Sequence, residues 1–280
     1  MRRRTLLDRL FWGGAWLAFV FIAAPAIAVV MGVFHQAWPA FGWSLFVNRT
    51  NTIGVENGIL GTLMLLVGVL VIAGTIGVAA GIYLAEYAGG RTEQALRFFS
   101  EVLSGSPSIV IGYIGYITLV IGFHWGYSYM AAVIALSVLI LPYIVRTTEV
   151  SLRQVPTTLR EASSGLGIAR WKTVSRVILP PAVPGILSGL VVALAISTGE
   201  TAPLLFTAGY TDNNPSLSLF HHQLGYLTGV TYTDISIPGS RAHAIAAAAG
   251  AVTLIMLVIL IALSKVISAR SRRSMERASL

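Results

Sequence analysis

Long apolar runs alternate with short polar segments along almost the whole chain, and each run is long enough to cross a bilayer as a helix. The pattern predicts six transmembrane spans, over residues 10–34, 58–84, 103–123, 129–145, 182–208 and 242–267. The first contains Pro25 and ends in a loop of aromatics and amides, among them Trp38, Trp43, Asn48 and Asn57, which suits a membrane interface. The second carries glycines at 58, 61, 68, 74, 77 and 81, a composition that lets helices approach closely in lipid. Between the fifth and sixth spans, residues 209–241 are polar and turn-rich, and they predict a short external helix around residues 217–224.

The longest polar interruption, residues 157–189, has its own helix signals. Thr158 and Glu161 stand at the spacing of a capping box. The pair Gly165 and Gly167 then breaks the helix, and a basic amphipathic piece follows with Arg170, Trp171, Lys172 and Arg176. Pro180 and Pro181 are expected to stop that piece before the fifth span. Two readings fit: a docking surface for another protein, or an ordinary solvated loop.

Composition agrees with a polytopic membrane protein. Of 280 residues, 55% are hydrophobic and 11% charged, less than half the roughly 25% usual in soluble domains. The whole chain reads as one membrane domain, residues 1–280, with no room for a soluble one. There is no cysteine, which excludes disulfides and thiolate chemistry. The net charge of +8 orients the protein; it does not mark a nucleic-acid binder. Seventeen Lys and Arg residues fall on the side holding both termini and residues 86–101 and 146–177, against Arg49 and Arg241 on the other, so both termini are expected in the cytoplasm. The arginine-rich start resembles a secretory signal, but the 10–34 run exceeds the roughly 7–15 residues of such a segment and is expected to stay uncleaved.

Glu200 is the least expected residue. It lies within the fifth span, where a carboxylate costs a few kcal/mol unless paired, protonated or wetted. Flanked by Ser197, Thr198, Gly199, Thr201 and Pro203, it predicts a kinked helix and either a transport pathway or a hydroxyl-bonded packing role. An unshielded glutamate repels an anion, so for an anionic cargo it is expected to orient a cation or a hydroxyl. Arg146 and Arg241, the nearest cationic candidates, suit snorkelling to the two interfaces. Ser106 and Ser108, at the start of the third span, fit an oxyanion contact and fit a plain helix start as well. Adjacent His221 and His222 lack the spacing of a metal site, and no GxxxxGK[ST] sequence for ATP phosphates occurs.

Glu161-Ala162-Ser163, Gly167 and Ile178-Leu179-Pro180 resemble the EAA loop of the membrane subunits of ATP-binding-cassette importers. Tyr83–Tyr87, Ser106–Val110 and Gly199–Phe206 are similar to the phosphate-permease branch of that family, with Ile196 where many relatives carry arginine. The resemblance implies an all-α permease of the type I importer kind with coupling helices between spans four and five. It implies no catalysis in this chain, the ATP and magnesium being held by a partner ATPase dimer. A second homologous permease and an external phosphate-binding protein complete the implied complex, in the cell membrane. The residues it implicates in coupling are Glu161, Ala162, Ser163, Gly165, Gly167, Ile178, Leu179 and Pro180; those in the path are Glu200, Thr201, Ser197, Thr198, Ser106 and Ser108. Transport of another oxyanion, such as sulfate or molybdate, and an autonomous channel or carrier are the alternatives.

Overall fold

The computed structural model describes residues 2–52 and 54–278. Helix α1 (Arg2–Ala37) and the short α2 (Trp43–Val47) lead into α3 (Glu56–Glu86). The chain then forms α4 (Gly90–Gly105), α5 (Ser108–Gly122), α6 (Tyr129–Arg153) and α7 (Thr157–Gly165). It ends with α8 (Arg170–Gly199), α9 (Ala202–Thr207), α10 (Leu227–Asp234) and α11 (Ser240–Ala278). Among the described residues, α1, α3, α6, α8 and α11 are each long and apolar enough to cross a membrane, and the bent pair α4–α5 makes a sixth span if counted as one.

The axis of the bundle is α6. Glycines of α3 pack along one side of it: a Cβ on Gly77 would lie 2.7 Å from Ile144 Cγ2, and one on Gly81 2.6 Å from Thr148 Cβ. On another side α8 does the same, with Gly185 and Gly189 set against Ser151 and Thr147. Lipid supplies no hydrophobic drive between helices, so close contact of small residues is what holds such spans together. Leu65, Val69, Val133, Leu136, Ile140 and Ile144 fill the core between them. Hydroxyls satisfy themselves on their own helices, as Ser151 does on the Thr147 carbonyl at 2.8 Å. An exception ties α8 to α11, where the Ser188 hydroxyl lies 2.6 Å from that of Ser264 and 2.8 Å from that of Ser268. Outside this bundle α1 packs against α11 and presents Phe19, Phe21 and Ile22 outward.

Five expectations change. The apolar run over residues 103–123 contains an elbow of 100° at Ser106–Pro107, because Pro107 has no donor and holds Ser106 extended at φ −78°, ψ 131°. The fifth span starts at Arg170, running through Pro180 and Pro181, because a wide π-helical turn at Val174–Ile178 precedes the prolines and already displaces the ordinary hydrogen-bond register. That span also ends at Gly199, short of residue 208. The external helix forms at Leu227–Asp234, while residues 217–224 are irregular and held by bonds such as His221 N–H to the Trp125 carbonyl at 2.9 Å. The capping box is absent too: α7 begins at Thr157 behind Pro156, with no side-chain cap.

Asp234, at the end of α10 and outside the spans, is 6% exposed. Burial, with a smaller push from Asp212, raises its carboxyl to about 6. A raised value favours folding below the unfolded pKa near 4 and loses that advantage as pH climbs through 6. At neutral pH the ionised group therefore costs up to about 3 kcal/mol. Asp234→Asn should raise the melting temperature at pH 7.5 and leave it nearly unchanged at pH 4.5, as thermal unfolding in detergent would show.

Candidate functional site

The sequence Gly199-Glu200-Thr201-Ala202-Pro203 cannot continue a helix. Pro203 restricts the residue before it and suits the first turn of a new helix, so α8 stops at Gly199 and α9 starts at Ala202. Glu200 between them is extended, at φ −70° and ψ 133°. Its freed backbone groups are both used: the N–H donates to the Ser197 carbonyl at 3.3 Å, and the carbonyl accepts from the Thr228 hydroxyl of α10 at 2.9 Å. Irregular backbone inside a membrane bundle requires this kind of compensation.

The Glu200 carboxylate faces the hydroxyl of Ser108, the first residue of α5. Close packing fixes that register. A Cβ on Gly112 would sit 2.7 Å from Pro203 Cα, and one on Gly115 would sit 3.0 Å from Thr207 Cγ2. Thus α5 and α9 run side by side in one direction, with Phe206 set against Tyr113 and Tyr116 at centroid distances of 6.0 and 6.4 Å. Among the described residues Glu200 has no ion-pair partner. A half-buried carboxylate with a hydroxyl neighbour can hold a proton, or orient that hydroxyl toward a passing solute.

The other path candidates are not gathered with this pair. Ser197 and Thr198 are buried and donate back to the carbonyls of Ala193 and Leu194, at 3.0 and 2.8 Å. Ser106 caps its own helix through the Val102 carbonyl at 2.8 Å. Thr201 lines a separate cleft of about 480 Å³ with Thr228, Thr231 and Thr253. Ile196 is exposed.

The second locus is the corner between α7 and α8. Gly165 ends α7, and Gly167 turns the chain at φ +68°, where a side chain would be strained. Glu161 and Ala162 face solvent, whereas Ser163 is buried with its hydroxyl on the Leu159 carbonyl at 2.8 Å. Ile178 is buried, Leu179 is half-buried and Pro180 is exposed. Leu159, Leu166, Ile168 and Trp171 form an exposed apolar platform there, with Leu166 at 78%.

Two carboxylates that hold this end of the molecule have no counterpart among the candidates read from sequence. Glu149, 2% exposed, accepts from Arg97 of α4 through both oxygens and from Arg153 at 2.8 Å, with Arg146 at 3.3 Å. Glu93 joins by bonding Arg97 at 2.9 Å. A cleft of about 450 Å³ opens beside them, lined by Arg97, Ser100, Ser104 and Arg146. The other is Glu86, at the end of α3, which receives Arg160 of α7. Two arginines at positions 146 and 153, each a helical step from Glu149, were the available signal.

A family model described as the binding-protein-dependent transport system inner membrane component matches residues 77–273. A phosphate transport system permease protein PstA 2 of Mycobacterium bovis is 41% identical over 97% of this chain and 91% of its own. A PstA 1 protein of Mycobacterium tuberculosis is 34% identical over 92% and 83%. Among solved structures, an inward-facing MetNI methionine ABC transporter chain aligns at a TM-score of 0.61 with 22% identity, over 78% of this chain and 95% of that one. A chain of a bacterial alginate ABC transporter aligns at 0.60 with 15% identity, over 96% of both. The two likenesses in structure concern the fold.

Proposed function

Since the chain belongs to the family of binding-protein-dependent transport system inner membrane components, we propose that it is the permease subunit of an ATP-driven importer of inorganic phosphate. It is a multi-pass inner membrane protein of an ABC importer. In this reading both termini, α4 and the α7–α8 corner face the cytoplasm, and the chain supplies half of a path completed by a second permease. The exposed platform of Leu159, Leu166, Ile168 and Trp171 seats on a separate ATPase, which holds the ATP and magnesium, and an external binding protein delivers phosphate to the opposite face. The observation that carries the substrate is the 41% identity to a phosphate permease over nearly the whole chain.

Within the path, Glu200 and Ser108 stand where α5 and α9 meet, at the break between α8 and α9. A carboxylate does not attract phosphate, so its role is to hold the Ser108 hydroxyl and the helix break in shape. ATP-driven movement of the corner then tilts α8 and shifts the break between two arrangements that bind the cargo with different affinity.

Labelled-phosphate uptake by the purified complex in vesicles, with and without ATP and competed by sulfate, tests this reading. ATP-dependent uptake that sulfate does not displace is expected; uptake of sulfate instead would overturn the substrate, and nucleotide-independent uptake by this chain alone would overturn the mechanism. Glu200→Gln should lower uptake by about tenfold with assembly intact, since intramembrane ionisable groups are retained for function. Unchanged uptake would assign Glu200 to packing alone.

A further inference from the structure

Arg160 binds more of the molecule than one ion pair requires. Its Nη2 donates to Glu86 Oε1 at 2.7 Å and to the Leu152 carbonyl at 2.9 Å, while Nη1 donates to the Val155 carbonyl at 2.7 Å. Nε lies 3.5 Å from Glu86 Oε2. Leu152 belongs to the last turn of α6, and Val155 lies two residues beyond that helix. Glu86 is the last residue of α3, and its side chain is 6% exposed. The carbonyls at a helix C-terminus have no partners of their own and carry the negative end of the helix dipole, so a guanidinium there is favoured twice over. Arg170, the first residue of α8, donates to the backbone carbonyl of Glu86 and lies over the Tyr87 ring, its Cζ 5.2 Å from the centroid.

We infer that Glu86 and Arg160 form a linkage through which movement of α7 is transmitted to α3 and α6 as well as to α8. The inference rests on the proposed role of α7 as the ATPase contact. The route proposed above runs from the corner into α8 alone. The geometry adds a second route, because α7 cannot turn without breaking four bonds or carrying the ends of α3 and α6 with it. The linkage is planar and multidentate, which lysine cannot reproduce. It lies behind the exposed platform, Glu86 and Arg160 being largely covered where Leu166 and Trp171 are bare. Both residues are positioning residues and touch neither nucleotide nor cargo.

The test uses the complete reconstituted complex and reads phosphate imported per ATP hydrolysed, with co-purification of the ATPase as the measure of assembly. Glu86→Gln and Arg160→Gln should each keep the ATPase bound and hydrolysing while the ratio falls, about tenfold in Arg160→Gln, where the motion no longer reaches two of three spans, and less in Glu86→Gln, where Arg160 still holds the Leu152 and Val155 carbonyls. Arg160→Lys should fall between them and the wild type. The exchange Glu86→Arg with Arg160→Glu should not restore the ratio, since a glutamate cannot donate to the Leu152 and Val155 carbonyls. Because the chain has no cysteine, spin labels at Gly89→Cys and Ser164→Cys can report whether α3 and α7 move together. Their separation should stay constant between nucleotide states in the wild type and change in Glu86→Gln. A wild-type ratio in both single variants or loss of the bound ATPase would overturn the linkage, and full restoration by the exchange would overturn the arm of it that runs to α6. Failure of the unaltered complex to couple ATP to uptake would instead refute the role of α7 on which it rests.

Discussion

Glu149→Ala is expected to be the most damaging single change on the charged side of the bundle. It leaves Arg97, Arg146 and Arg153 around the vacated position, with Glu93 alone among the described residues paired to Arg97 and Arg153 and nothing paired to Arg146. Removing one partner from a fully buried ion pair costs about 3–5 kcal/mol. Arg97, Arg146 and Arg153 keep 32%, 65% and 52% exposure, so water answers part of the charge left behind and the cost here should be smaller. The damage should not stop at stability. Arg97 is the side chain by which α4 is fastened to α6, and α4 ends at the elbow that sets Ser108 before Glu200. Thermal unfolding in detergent should show a large drop in melting temperature, and proteolysis should cut within α4. A variant with unchanged melting and an uncut α4 would show that packing alone holds the elbow. Glu149→Gln, which keeps the shape and some hydrogen bonds, should be less severe.

Gly61→Ala is expected to have an effect of similar size from one methyl group. Its Cβ would stand 1.7 Å from the Gly225 carbonyl oxygen, and a backbone atom cannot step aside as a flexible side chain can. Gly225 is itself confined, being close to Asn57 and to the Thr211 carbonyl, and Asn57 donates to Thr211 at 3.3 Å. Overpacking of this kind costs about 3 kcal/mol or more when the backbone must shift. Gly32→Ala is the control: no atom lies within 4 Å of its added Cβ, and alanine is the better helix former by about 1 kcal/mol. A lower melting temperature for Gly61→Ala beside an equal or higher one for Gly32→Ala is the expected pair of results.

The spans were readable because a bilayer demands so many consecutive apolar residues that little else produces the pattern. Tertiary relations were not readable by the same means. Hydropathy stays high across residues 103–123, so the elbow at Ser106–Pro107 is smoothed over; only the proline marks it. Glu200 announced itself as a carboxylate among apolar neighbours, yet nothing near it in sequence indicates Ser108, ninety-two positions earlier. Ser197 and Thr198 looked equally suited to the path, and the helix turned their hydroxyls onto its own carbonyls. Glu149 is not legible in the sequence for a different reason. It lies just past residue 145, where the apolar run thins out, and an acidic residue among arginines there reads as surface until the fold buries it.

The elbow also changes what surrounds it. Helix α5 has 15 residues from Ser108 to Gly122, a rise of about 22 Å, whereas the hydrocarbon layer is about 30 Å thick. Lipids beside it must compress, or water must fill the missing 8 Å or so, and in the proposed orientation the shortfall lies on the cytoplasmic side. Glu200 meets the first residue of that short helix. In that orientation the shortfall lies beside Ser108, and Glu200 is expected to be reached by water from the inner side although its sequence position is in mid-span.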